Sequence, residues 1–494
     1  MPEESPVRKT QDNLPAQSEP LPKSFMMKYG AGQAIELLVN NAIGLVLLVY
    51  LTAVAGLDPD IAGLVLLISM LVDAFADPLI GSWSDRCNSR LGHRHPFMFL
   101  GLILLPVSVI GLFKLPLGMS PMMTFFYVLA LNIVMRVANS LFILPYSALL
   151  AELSNDYEER SQMMVYRLFF AVLAWGVALW MSFGVFFGEK GAFADRSAYF
   201  SFGLLIAALI LVFGAVTAFG TLSKTKDMMR PMEDKPTAAR FFSEVFQLFQ
   251  NSAFVSIFLG SLIFMVAAGF LNSIQLHAFT YFWQLGPKDI QMVTVSLPLG
   301  MLIGVPFTSW LIARVEKRTL MLIAVGILVT AFGFAPVIAM SGAFDIGSGV
   351  ALAIVLVTSL VFGLGSGLSF MASGSMIADT TDQHDLLFNV RREGLCFASL
   401  VFASKGAIGL GGLAAGLSLE FIGFPKAPTS PEGALMLTPD VIQALGMLWG
   451  PGYAFCLLAS LPFFLRFKLN RAAHNLVLIQ LAKRNESITR LADS

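Results

Sequence analysis

Charge is scarce in this chain. Asp, Glu, Lys and Arg make up 13% of its 494 residues, against about 25% in an ordinary soluble protein. Hydrophobic residues make up 56%, and the mean hydropathy is +0.75. Those values exclude a soluble globular protein and point to a polytopic membrane protein. Cysteine is also rare: Cys87 lies in a basic loop, and Cys396 and Cys456 in apolar segments, so no disulfide framework or metal-ligand spacing follows. There are five histidines and no Gly-Lys-Ser/Thr phosphate loop, which argues against a nucleotide-driven pump and against an enzyme. No cofactor and no nucleic-acid partner is expected. Residues 1–24 contain no hydrophobic run of signal-peptide length, so they read as a disordered tail.

What is present is a series of apolar segments long enough to cross about 30 Å of hydrocarbon. Six fall at roughly 34–54, 61–84, 96–116, 121–150, 162–187 and 199–222. Six more fall at roughly 253–284, 290–313, 319–341, 347–378, 394–424 and 442–468. The expected fold is therefore all-α, with twelve transmembrane helices in two six-helix bundles: 25–222, and 251–468 after a polar central loop at 223–250. That loop turns amphipathic at Phe241, Phe242, Val245, Phe246 and Phe249, which predicts a surface-lying helix. The tail 469–494 carries Leu476, Ile479, Lys483 and Arg484 at near-helical spacing and is expected to be solvated or to lie on the membrane. Of the 32 Lys and Arg, 24 fall on the side that holds both termini and five on the other. The asymmetry predicts cytoplasmic termini in an inner (plasma) membrane. Three cations remain inside the spans: Arg136, Arg167 and Lys405.

Three acids match them. Glu36 is in the first span, and Asp73 and Asp77 lie four residues apart on one face of the second. A carboxylate at the bilayer centre costs at least about 2.5–3.5 kcal/mol, so these six groups are expected to face an interior cavity or one another. Asp73 and Asp77 fit a site that holds a proton or Na⁺, or else an ion pair with Arg136 or Arg167 that locks helices together. Pro78 leaves a backbone carbonyl without its donor close by. Arg167 suits either a substrate clamp or a gate residue bound to Glu152 or Asp156. Lys405, followed by Gly406, Gly409, Gly411, Gly412 and Gly416, suits a competitor for the two aspartates at a close helix crossing. Asp85 ends the second span, where a carboxylate opposes the helix dipole, so an Arg partner or the N-terminus of another helix is expected, as in a gate latch. The halves echo each other faintly, Ser82-Trp83 against Ser309-Trp310, and the loop Ala151–Asp156 against the loop Ala378–Asp382.

At these residues the chain resembles the glycoside-pentoside-hexuronide:cation symporters of the major facilitator superfamily, of melibiose permease type. The resemblance spans nearly the whole chain. It is carried by Lys28-Tyr29-Gly30, Asp73 to Pro78 with Gly81, Arg90 to Pro96, Leu144-Pro145-Tyr146, Arg167, Ala378 to Asp382, Val390 to Glu393, and Lys405. It implies Asp73 and Asp77 as cation ligands with Ser140 as a hydroxyl ligand, Arg167 as a sugar-site residue and Lys405 as a neighbour of the cation path. The candidate substrate residues are Glu36, Arg136, Tyr146, Arg167, Phe370 and Lys405, and the candidate gating residues Asp85, Arg86, Arg90, Arg94, Glu152, Asp379, Asp382, Arg391 and Arg392. Leu37, Ile143 and Ser147 stand where the family has its two sugar-binding Asp residues and a Trp, and Ala76 stands where it has an Asn between the paired acids. Those departures weaken a galactoside assignment and leave H⁺ beside Na⁺ as coupling ion.

The function that follows is a cation-coupled symporter, expected to be monomeric, for a sugar, glycoside or related small solute. A transporter of lysolipid or another amphipathic solute is the alternative, since 43 Phe residues and the missing sugar-type acids suit one. A non-transporting sensor or scaffold is a further one, against which the retained intramembrane charges count.

Overall fold

A computed structural model describes residues 21–154, 156–188, 193, 195–225, 246–312, 314–390, 392–425 and 437–492. The described secondary structure is helical throughout. The spans are α1 Lys23–Val54, α2 Pro59–Arg86, α3 His95–Phe113, α4 Pro121–Leu153, α5 Glu158–Phe186 and α6 Arg196–Thr225 in the first half. The second half has α7 Ser252–Phe282, α8 Pro287–Ile312, α9 Lys317–Met340, α10 Gly349–Phe388, α11 Glu393–Phe421 and α12 Pro439–Arg466. A last helix, α13, covers Arg471–Ala492. Eleven of these helices are long and apolar enough to cross a bilayer by themselves, and α8 completes the twelve by packing along α10.

Local chemistry sets the helix starts. Ser120, Asp156, Asn251 and Ser348 each accept a hydrogen bond from a first-turn N–H, and proline occupies the first turn of α2, α3 and α4. Both devices satisfy or remove N–H groups that have no helical partner.

The repeat between halves is far clearer in three dimensions than in sequence. The α3–α4, α2–α4 and α3–α6 contacts recur as α9–α10, α8–α10 and α9–α12. More specifically, α1 ends in a π-helical turn at Tyr50–Val54 and α7 in one at Ala278–Phe282. In each turn the same two bonds close it: Ala55 N–H to Tyr50 O (2.9 Å) and Leu57 N–H to Leu51 O (3.0 Å), then Trp283 N–H to Ala278 O (2.9 Å) and Leu285 N–H to Phe279 O (3.0 Å). Gly56 and Gln284 follow in the left-handed region, with φ of 70° and 52°. Glycine adopts that conformation freely and glutamine only at a cost. Pro59 and Pro287 then start the next helices.

Between halves, α2 crosses α11 and α1 meets α7, with α5 against α8. At the α2–α11 crossing a Cβ on Gly63 would lie 3.0 Å from Leu413 Cα, and one on Gly409 would lie 2.9 Å from Met70 Cβ. The glycine run in α11 thus brings the backbones together.

One expectation needs correction. The loop Ala378–Asp382 is helical, because α10 runs on to Phe388 and ends at Asn389 in the left-handed conformation (φ 54°). The tail is a helix held against the projecting end of α10. Its apolar Leu476 and Ile479 are exposed, at 61% and 51%. Residues 226–245, where most of the predicted surface helix falls, and residues 1–20 lie outside the described residues.

Candidate functional site

The six intramembrane charges form two groups. In the first, Asp73 and Asp77 sit one turn apart on α2 and face α4 and α11. Lys405 Nζ reaches both, at 2.8 Å from Asp73 Oδ2 and 2.5 Å from Asp77 Oδ2. The Ser140 hydroxyl donates to Asp73 Oδ1 at 2.7 Å. Arg136, one turn before Ser140 on α4, is fully buried beside Asp73 and donates to Asn40 Oδ1 of α1 at 2.7 Å. Lys405 is the only member from the second half, and it is there because the α11 glycines bring its helix against α2. Neither Arg136 nor Arg167 is the direct ion partner of the pair. The ammonium itself occupies the space between the carboxylates.

The second group joins α1, α4 and α5. Arg167 Nε donates to Gln33 Oε1 at 2.8 Å, and a second guanidinium nitrogen donates to the same oxygen. Gln33 Nε2 in turn donates to Glu36 Oε2 at 2.5 Å. Arg167 also lies over the Tyr146 ring, 5.0 Å from its centroid, and reaches Ser147 Oγ at 3.4 Å. Tyr146 is fully buried against Tyr29, with ring centroids 4.9 Å apart. An amide therefore separates the acid from the base. The result is one wall that presents a charged acceptor and a planar charged donor. In this conformation Arg167 meets Gln33 and not Glu152 or Asp156.

Phe370 is not gathered with either group: it makes no ring contact among the described residues and is 78% exposed. Sequence reasoning missed Gln33 and Asn40. The i, i+3 spacing of Gln33 and Glu36 was the available signal for the first.

Most of the residues expected to gate lie in a separate cluster in each half on the termini face. Arg94 bridges Asp85 (2.7 Å) and Glu152 (2.9 Å) and donates to Ser84 Oγ at 2.9 Å. His93 adds a contact to Glu152 at 3.1 Å. Burial pushes the Glu152 carboxyl up, but hydrogen bonds and charge from His93 and Arg94 outweigh it, and its pKa lies below the ordinary value of 4.5. In the other half Lys317 holds Asp379 at 2.7 Å, and His474 of α13 contacts Asp382 at 3.0 Å and Asp379 at 3.5 Å. Arg484 joins Asp385 at 2.8 Å. Arg86 and Arg90 are exposed, Arg392 precedes α11, and Arg391 lies outside the described residues.

A groove of about 410 Å³ opens between α5 and α8 on the face opposite the termini. It is lined by Trp180, Val185, Met292, Gln291 and Lys288. Gln291 ties the halves there by donating to the Trp180 carbonyl at 3.2 Å.

Comparison with known proteins gives a consistent picture. Residues 28–471 match the family described as MFS/sugar transport protein. The isoprimeverose transporter of Lactiplantibacillus pentosus is 24% identical, covering 85% of this chain and 83% of that protein. The sodium-dependent lysophosphatidylcholine symporter 1 of Gallus gallus is 23% identical, covering 83% and 81%. In fold, the crystal structure of the nucleoside transporter NupG superposes with a TM-score of 0.62 at 14% identity, covering 90% of this chain and 99% of that one. With twelve spans, a duplicated six-helix half and a family match over nearly its full length, the chain belongs to the MFS/sugar transport family, in the glycoside-pentoside-hexuronide:cation symporter branch of the major facilitator superfamily.

Proposed function

We propose that this membrane transporter is a cation-coupled symporter for a sugar, glycoside or similar polyhydroxylated solute, importing it by alternating access with both termini in the cytoplasm. The observation that carries the proposal is the Lys405 ammonium between Asp73 and Asp77. A monovalent cation bound by these carboxylates takes the position that the ammonium now holds, with Ser140 as a further oxygen ligand. Loading the ion then frees Lys405, and with it the ionic tie between halves. One cation falling through about 100 mV supplies roughly 2.3 kcal/mol, enough for about fortyfold accumulation. H⁺ and Na⁺ both suit a paired-carboxylate site.

The Glu36–Gln33–Arg167 wall supports the polyol reading. A hydroxyl group donates and accepts at once, and a fixed carboxylate beside a fixed guanidinium meets both needs. The α5–α8 groove favours a second reading, an amphipathic solute, because its mostly apolar lining carries one cation, Lys288.

Uptake into proteoliposomes under an imposed Na⁺ or H⁺ gradient, screened with glycosides and lysolipids, tests both. Asp73→Asn and Asp77→Asn are expected to abolish uphill uptake and retain part of the binding or exchange. Undiminished uphill uptake in both variants would refute the cation site.

A further inference from the structure

On the face opposite the termini two neutral polar contacts join the halves, one exposed and one buried, and the buried one contains a titratable group. Gln291 meets the Trp180 carbonyl between α5 and α8. Between α1 and α7, His277 Nε2 lies 3.5 Å from Thr52 Oγ1. His277 is 1% exposed and Thr52 likewise. The hydroxyl already donates to the Leu48 and Val49 carbonyls at 3.0 and 3.2 Å, so towards the imidazole it presents a lone pair and accepts from a ring N–H.

The rest of the His277 environment is apolar or neutral. From its own helix it meets the Tyr281 ring, centroids 6.5 Å apart, and its Nδ1 is buried without a hydrogen-bond partner. From the segment after α11 it meets the edge of Phe424 at 5.2 Å. Tyr199 of α6 is the next titratable group, close to Tyr281. Among the described residues no hydrogen bond or ion pair joins a carboxylate to the ring. Of the acids on this face, Asp60 accepts from Ile61 N–H, Asp289 from Gly286 N–H and Asp195 from Ser197 N–H, while Asp58 occupies the N-cap position of α2 and Glu420 lies in the last turn of α11. The bond sits in a telling place, since Thr52 lies within the π-helical end of α1 and His277 immediately precedes the matching end of α7.

We propose that His277 is a second proton-binding site, separate from the Asp73–Asp77 pair, whose protonation unseals the face opposite the termini. A neutral imidazole completes the seam with one hydrogen bond. An imidazolium there is a buried charge with no counter-ion, which is stable only once water reaches it. Separating α1 from α7 lets water in. Acid on that side therefore draws the protein towards the conformation open to that side. The sign is fixed: the proton binds the open form better than the sealed one, so lower pH favours opening, by at most about tenfold per pH unit for one proton.

The test needs no substrate. Spin labels on Leu117→Cys in the α3–α4 loop and Ala343→Cys in the α9–α10 loop, with the three native cysteines replaced by Ser, report the separation of the halves on this face by pulsed dipolar spectroscopy. Between about pH 7.5 and pH 5.5 the long-distance population is expected to rise about tenfold or more relative to the short one. In His277→Asn and, independently, His277→Gln the ratio is expected to stay flat. Thr52→Val keeps the imidazole and is expected to raise the open population at the higher pH while retaining the response. An unchanged pH response in either folded His277 variant overturns the proposal by assigning the effect elsewhere, for instance to the aspartate pair. Absence of any response in the parent protein overturns it as well.

Discussion

Replacing Lys405 by Met keeps the length of the side chain and removes its charge, so it asks directly whether the ammonium stands in for a cation. Asp73 and Asp77 are 4% and 16% exposed at their side chains, and Lys405 is 22% exposed. At 2.8 Å a single contact is worth about 6 kcal/mol of Coulomb energy at an effective dielectric constant of about 20. Desolvation offsets part of that, and removing one partner of a buried pair costs about 3–5 kcal/mol in practice. In the absence of a coupling ion, Lys405→Met is therefore expected to lose about 3–5 kcal/mol of stability.

The same argument fixes the response to ions. In the parent protein a cation must first displace the ammonium; in Lys405→Met it binds two carboxylates that have no other positive partner in contact. Each 1.4 kcal/mol of relieved competition is tenfold in affinity, so the variant is expected to bind its ion at least about a hundredfold more tightly. At about 100 times Kd the ion returns roughly 2.7 kcal/mol of stability. Thermal or chemical unfolding of purified protein, followed while Na⁺ is titrated against choline and while pH is varied, measures both numbers. A variant that gains nothing from Na⁺ and nothing from acid would refute the reasoning, because the carboxylates would then have no ion to receive. Gain from acid alone would identify H⁺ as the ion, and gain from Na⁺ at fixed pH would identify Na⁺.

Other outcomes follow from the same geometry. Arg167→Lys loses the paired bonds to Gln33 and the planar stack on Tyr146, so solute binding is expected to weaken about 10- to 100-fold in equilibrium binding or KM while expression holds. Gly416→Leu drives a side chain into the Pro59 carbonyl and Gly63 at the α2–α11 crossing; it is expected to hold the face opposite the termini open and arrest uptake, measured as constitutive maleimide access from that side. The latch at Glu152 responds to pH in a defined direction. Its folded pKa is depressed, so its contribution is fully present above the unfolded glutamate value and is lost as pH falls through the lower folded value. The Arg94–Glu152 contact should therefore survive pH about 5.5, and Glu152→Gln should destabilise the protein at neutral pH but close to nothing at strongly acid pH.

Hydropathy and charge placement made much of this legible in advance: the spans, the two halves, and the six intramembrane charges. They could not say which cation answers Asp73 and Asp77. That depends on α11 lying against α2, which follows from glycines whose effect is visible only when their opposite number is known. Asp85 shows the reverse. An acid at a helix C-terminus has a local electrostatic reason to need a base, and Arg94 is the base found. The Ala378–Asp382 stretch was misassigned to a loop because polar residues normally end a membrane helix, whereas here α10 continues past the bilayer and α13 satisfies its carboxylates. The π-helical turns carry little sequence signal beyond their Leu-x-Pro ends at 57–59 and 285–287.

The distribution of the charges bears on how coupling can work. Five of the six lie in the first half, and the second half contributes Lys405 alone. The first half thus carries the acids proposed to take the ion and the Arg167 wall proposed for the solute, while the other half supplies their counter-charge. A repeat that preserves helix packing and π-helical turns has not preserved the site: where α2 carries Asp73 and Asp77, α8 carries glycines and apolar residues packed on α10. An empty carrier with Lys405 bound to both aspartates is already neutral at the midplane, together with the Arg136 and Glu36–Arg167 charges. It can change conformation without dragging an uncompensated charge through low dielectric. On the proposed function an ion that replaces the ammonium frees Lys405, which then needs a new partner, a role open to the solute. Coupling on this arrangement resides in the one side chain that both events must move, so a variant that immobilises Lys405 by a permanent partner, such as Ala76→Asp beside the pair, should bind solute and ion independently and transport neither uphill.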